Sequence, residues 1–221
     1  MDLVAIALPA SWTVVAWILV APILIAAARV APWERFGASE LVHVWYGAIF
    51  GLIVLWNIRA TVGEGFTFHL SGVAALTLLV GAPLALLGTA IAVAVEVAVR
   101  DAPWVNAALA WLAMAAPPVA VTWAVWRCAE RVLPPNFFVY VFVVAFFGAA
   151  LSLIAAALVG AIAFTAGAGR PADVVFGEYL PYLAYLAFGE GTMTGMILTL
   201  AVVYRPQWVA TFDDARYLHG R

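Results

Sequence analysis

The chain has 221 residues, 67% of them hydrophobic and only 10% charged, with a mean hydropathy of +1.08. A soluble domain is about half apolar and a quarter charged, so one water-excluding core does not account for this composition and lipid must solvate much of the surface. The net charge of −2 offers no basic stripe for nucleic acid, and a single cysteine, Cys128, excludes an internal disulfide or a cysteine-rich metal site.

The first apolar run covers residues 11–28 and is closed by Arg29 and Pro32. No basic stretch or small-residue cleavage site precedes it, so Met1 is expected to remain on the mature chain. A second span, residues 41–58, leads into a loop at 59–68 that carries Gly63, Glu64 and Gly65. Residues 69–99 would make one helix of about 46 Å at 1.5 Å per residue, half again too long for a bilayer core. Gly81, Pro83 and Gly88 near the middle split it into two short helices joined by a tight turn.

The next span, residues 104–126, is expected to kink at Pro117-Pro118, and 127–135 reads as a polar loop. A long run at 137–166 and a polar break at 167–177 precede the last span, 181–204, and a solvated polar tail, 205–221, which holds Asp213, Asp214 and His219. The expected fold is all-α: one transmembrane domain, 1–221, a polytopic bundle of about seven helices in the cell membrane.

Arginine placement orients the bundle. The cations are all arginine, and an external N-terminus puts Arg29, Arg35, Arg127, Arg131, Arg205, Arg216 and Arg221 inside against Arg59, Arg100 and Arg170 outside, which obeys the positive-inside rule. Trp12, Trp45, Trp104 and Tyr204 fall near span ends, where an interfacial belt is expected. Residues 148–152 read as a small-residue packing face.

Ionisable residues are costly in lipid, so those within spans are functional candidates: His43, His69, Glu96 and Glu190, with Asp2 and Glu64 at the edges. Glu96 precedes Arg100 by four residues, the spacing of a helical ion pair. His43 opens the second span on the face opposite His69, so the two are not expected to share a site. His69 begins a short helix recessed below the membrane surface. Its imidazole suits either a borderline metal or a hydrogen bond to a carbonyl. Glu190 lies among Gly189, Gly191 and Gly195, which admit a close neighbouring helix, and Thr192 and Thr194 are placed to bond across it. Its carboxyl fits a structural or supporting role, since one carboxylate cannot make a metal site. No P-loop, His-Glu-x-x-His or Gly-x-Ser-x-Gly occurs, and nothing supports an intramembrane enzyme.

Several segments, in order, resemble the CbiM/NikM family, the substrate-binding membrane subunits of energy-coupling-factor transporters for cobalt and nickel. Leu8-Pro9-Ala10-Ser11-Trp12 resembles the family's Gly-Phe-Leu-x-Pro-x-x-Trp segment, and His69-Leu70-Ser71-Gly72 through Leu79-Val80-Gly81 its His-Leu-Leu-Gly…Leu-Leu-Gly helix. Asn106, ahead of Trp111-Leu112-Ala113-Met114, is similar to its Asn-Ala-Leu-Asn-Met stretch, and Glu190-Gly191 through Tyr204-Arg205-Pro206 to its last helix.

The resemblance implies seven helices with an external N-terminus, and a metal held by the Met1 amine, a second-residue histidine and His69. Here the second residue is Asp2, which replaces an imidazole by an oxygen ligand and alters metal preference. Glu64, Glu190, Asn106 and His43 are the expected supporting polar residues. No cofactor is implied beyond a bound divalent metal (nickel, cobalt or another), and the implied partners are ATP-hydrolysing subunits and a coupling membrane subunit. The alternative is an accessory or assembly subunit that uses the same fold within a larger membrane complex, without metal transport.

Overall fold

Proline and glycine set most of the helix boundaries in the computed structural model, which describes residues 8–36, 40–62, 66–213 and Tyr217. Helix α1, Ala10–Val30, stops where Pro32 holds Ala31 extended. It buries only a narrow stripe of Thr13, Ala16, Val20 and Ala27, leaving Val14, Ile18 and Leu19 exposed, as befits a helix with lipid on most sides. Helix α2, Leu41–Asn57, runs back. The expected loop at 59–68 contains a small antiparallel hairpin instead: β1, Ala60–Val62, pairs with β2, Phe66–Phe68, with Thr61 opposite Thr67.

The split of residues 69–99 falls at Gly81, whose φ of +85° suits glycine. The two halves are unequal, however, which corrects the expectation of two short helices. Helix α3, Val73–Val80, has eight residues and spans about 12 Å. Helix α4, Ala82–Val99, has 18 and is long and apolar enough to cross a bilayer core on its own. Nor does His69 begin a helix. Residues 69–72 run irregularly down to α3, which Gly72 opens at φ +68°.

The double proline breaks the following span at Ala115, separating α5, Ala107–Met114, from α6, Ala116–Val132. Proline at 117 and 118 has no N–H to give the preceding turn, so the helix cannot run through. Helix α6 continues to Val132, so much of the expected loop at 127–135 is helical, with Arg127 bonded to Glu130 at 3.4 Å.

A π-helical stretch, Val139–Phe147, then leads into α7, Gly148–Ile162, and a last π turn, Ala163–Gly167. The expected polar break is also largely helical, as the single turn α8, Ala172–Val174, and the π turn Val175–Tyr179. Helix α9, Leu183–Tyr204, completes the bundle. Among the described residues five helical stretches are long and apolar enough to cross a membrane, and Leu41–Asn57 is a shorter apolar helix. The protein is an all-α, multi-pass membrane bundle.

Contacts identify its two ends. At one, Leu8 and Trp12 lie beside Gly167, Arg170 sits 5.4 Å over the Phe66 ring, and Arg59 meets Glu96. At the other, Trp208 donates to Glu40, and Ala210 N–H to the Leu79 carbonyl. The first and last described residues therefore lie at opposite ends.

Two further expectations need correction. Trp45 is not in an interfacial belt: it is buried and donates to the Leu84 carbonyl at 2.8 Å, joining α2 to α4. Trp104 and Tyr204 are exposed, as a belt requires. The tail is not simply solvated, because Val209, Thr211, Phe212 and Tyr217 are buried. Asp213 is exposed, while Asp214 and His219 lie outside the described residues. The small-residue face does pack, with Gly148, Ala149 and Ser152 buried and Gly148 close to Val125 of α6.

Candidate metal-binding site

The descent from the hairpin to α3 puts His69 inside the bundle. Its ring packs on Trp56 of α2, with centroids 5.8 Å apart, and its Nδ1 lies 2.9 Å from the Leu70 carbonyl oxygen. With the proton on Nδ1 that contact is a donated hydrogen bond, and Nε2 then carries the ring's lone pair. A second-atom bond of this kind orients metal-ligating histidines in general.

His69 and Ser71 are the polar members of a cavity otherwise lined by Phe68, Met114, Leu153, Ala156, Ala157, Leu183 and Leu186. Its volume of about 20 Å³ is room for roughly one water or one bare ion. The hairpin roofs it. Phe68 stacks on Tyr179 at 5.4 Å, Phe66 packs edge-on to Phe164, and Tyr179 O–H donates to the Ala157 carbonyl at 3.4 Å. Apolar walls with one oriented imidazole suit a borderline transition metal stripped of its water better than a hard, hydrated cation.

Glu190 fixes the floor. It is fully buried on α9, and its two oxygens accept the N–H groups of Ser71 and Gly72, each at 2.7 Å. These are among the orphan donors ahead of α3's first turn, where a carboxylate also meets the positive end of the helix. Trp56 Nε1 donates to the Ser71 carbonyl from the other side at 2.8 Å. Two helices thus grip the residues just after His69, and Glu190 acts on the site through the backbone.

Gly191 allows the helix carrying Glu190 to approach, since a Cβ there would stand 2.8 Å from the Phe146 carbonyl oxygen. The threonines behave otherwise than expected. Thr192 bonds back to Phe188 at 2.8 Å within its own helix, and the buried Thr194 hydroxyl has no hydrogen-bond partner among the described residues.

The remaining candidates separate. His43 is exposed at the opposite end, in a groove of about 850 Å³ between α2 and α9 that Glu40, Tyr204, Arg205 and Trp208 also line. It lies about 20 Å along α2 from Trp56 at 1.5 Å per residue. Asn106 is buried just ahead of α5. Glu96 pairs first with Arg59, at 2.8 Å, and only loosely with Arg100, at 3.7 Å, so the expected helical partner is the weaker one. Met1, Asp2 and Glu64 lie outside the described residues.

Among the described residues no three His, Cys, Asp or Glu side chains gather as a metal centre. The other side-chain heteroatoms lining the His69 cavity are the Ser71 hydroxyl and the Met114 thioether. Sequence reasoning missed the grip of Trp56 and Glu190 on Ser71 and Gly72; the tryptophan 13 residues before His69 gave no periodic signal for it.

Residues 3–208 match the family model described as the cobalt uptake substrate-specific transmembrane region. Among curated proteins, none matches the chain.

Proposed function

The chain belongs to the family of cobalt uptake substrate-specific transmembrane regions, a family of transporter components, and from that premise we propose that it is the substrate-binding membrane subunit of an energy-coupling-factor-type importer for a divalent transition metal. The hairpin end faces outward in this reading, and the ion binds between His69 and the N-terminal residues Met1 and Asp2. The observation that carries it is the placement of His69: an imidazole with Nδ1 held by Leu70, facing an ion-sized apolar cavity on a backbone segment gripped from two helices.

The chemistry follows from that setting. A borderline divalent ion that exchanges water for imidazole nitrogen gains most where the imidazole is pre-oriented and competing water is excluded. An aspartate oxygen at position 2 adds negative charge to the ligand set and relaxes the preference for square-planar nitrogen coordination. Uptake against a gradient requires work from ATP-hydrolysing subunits, transmitted by a coupling membrane subunit.

Elemental analysis of gently purified, untagged protein beside His69→Ala tests the reading. Near-stoichiometric metal in the native chain, absent from the variant, is the expected result. No metal in either sample after loading with cobalt, nickel, copper and zinc would favour the accessory-subunit role in a larger membrane complex.

A further inference from the structure

Helix α3 is too short to hold its own place. An isolated helix of eight residues is marginal even with good helix formers, so its position depends on its surroundings: its sides pack against α2, α4, α6 and α9, and both ends are gripped by other parts of the chain. At the site end, Glu190 takes the Ser71 and Gly72 N–H groups, and Trp56 the Ser71 carbonyl.

At the far end the last-turn carbonyls, orphans in any helix, are met by the tail. Thr211 Oγ1 donates to Leu78 O at 2.8 Å, and Ala210 N–H donates to Leu79 O at 2.8 Å. Thr211 is itself fixed, being 4% exposed. With its proton given to Leu78, its Oγ1 accepts from Tyr140 O–H at 2.7 Å, and its carbonyl accepts from Trp126 Nε1 at 3.1 Å.

Between these grips the helix is stiff. Residues 73–80 contain no glycine or proline, and Val73, Ala74, Ala75, Leu76, Thr77, Leu78 and Val80 are all buried. The two residues that bracket it, Gly72 and Gly81, both have positive φ. A rigid rod between two glycine pivots moves as one body.

We propose that α3 is a strut through which the C-terminal tail sets the position of the His69 segment, with Thr211 a positioning residue for the substrate ion. Displacing the tail at the far end frees Leu78 and Leu79, tilts α3 about Gly72 and Gly81, and shifts the Ser71-Gly72 backbone against Glu190. This rests on the metal-site reading for its consequence, though the mechanical link stands apart from it.

The test is hydrogen–deuterium exchange on the full chain in lipid nanodiscs, paired with cobalt(II) binding. It compares the native protein, Thr211→Val, Thr211→Ser and Trp126→Phe, with Trp33→Phe, which loses a bond to the Ala28 carbonyl, as a control at the same end but off the tail. Thr211→Val and Trp126→Phe are expected to raise exchange at Ser71 and Gly72 by about three- to tenfold, the loss of one or two ordinary hydrogen bonds. Cobalt affinity should fall by a similar factor, Thr211→Ser should restore both, and exchange in α1 should not change.

Faster exchange confined to residues 206–213, with Ser71, Gly72 and cobalt affinity unchanged, would overturn the strut. If the native chain binds no cobalt while the exchange response persists, the metal reading fails and the strut stands.

Discussion

Glu190 Oε1 accepts the N–H of Gly72 from 118 positions along the chain, at 2.7 Å. Its other oxygen takes the neighbouring amide, so one side chain aligns two consecutive peptide groups. Replacing it by alanine strands two buried donors, at about 1–3 kcal/mol each. Glu190→Ala should lower the unfolding temperature in detergent by several degrees and weaken cobalt retention. Glu190→Gln should fall between, because its amide nitrogen must confront a backbone donor. Native-like metal retention in Glu190→Ala would show that the site does not depend on this grip.

Gly191 and Gly51 give opposite outcomes for the same change. At Gly191 a methyl group meets the Phe146 carbonyl at 2.8 Å, whereas at Gly51 nothing lies within 4 Å. Gly191→Ala should therefore destabilise by about 1–3 kcal/mol. Gly51→Ala, inside α2, should be neutral or stabilise by up to about 1 kcal/mol. Paired thermal unfolding curves check both, and equal shifts would contradict the close approach of α9 to residue 146.

Trp45 contributes as a donor as well as a ring. Trp45→Phe keeps an aromatic side chain but removes the bond to Leu84 O. An interhelical hydrogen bond within a membrane protein averages about 0.6 kcal/mol and reaches about 1.7, so a loss in that range is expected. Equilibrium unfolding in mixed micelles measures it, with Trp104→Phe, at an exposed position, expected to show no loss.

Asp2→His tests the ligand set. If position 2 faces the ion, a second imidazole in place of a carboxylate should tighten nickel and cobalt binding and favour nickel over softer or harder competitors. Competition titrations with both ions read this directly. Unaltered affinity and order of preference would place Asp2 away from the ion.

Sequence revealed the breaks near Gly81 and the paired prolines at 117 and 118, which fall at Gly81 and Ala115. Pro22 and Gly88, however, stay within α1 and α4, so residue type alone does not decide where a helix ends. The shortness of α3 was hidden because Leu70, Ser71 and Gly72 are as compatible with a helix in lipid as with the irregular path they take. Their course is decided by Trp56 and Glu190, contacts that no local pattern records.

Depth was likewise easier to read than facing. Trp45 does lie near a helix end, but only packing reveals that it points at Leu84 rather than at lipid headgroups. The tail carried a usable signal that charge obscured: Trp208, Phe212 and Tyr217 are costly to leave in water, and two of them are buried. At the site, a His69 bond to a carbonyl was one of the two readings the sequence offered, while the grip of Trp56 and Glu190 on the residues after it was not legible.

The union of α3 with the tail also bears on how the protein is made. Thr211 reaches Leu78 from 133 positions later, so when α3 enters the membrane its terminal carbonyls have no protein partner from this segment. At about 5–20 residues per second, the ribosome needs about 7–27 s more to supply one. During that interval the nascent bundle must shelter those carbonyls with water or with the insertion machinery, and its packing closes only as synthesis ends.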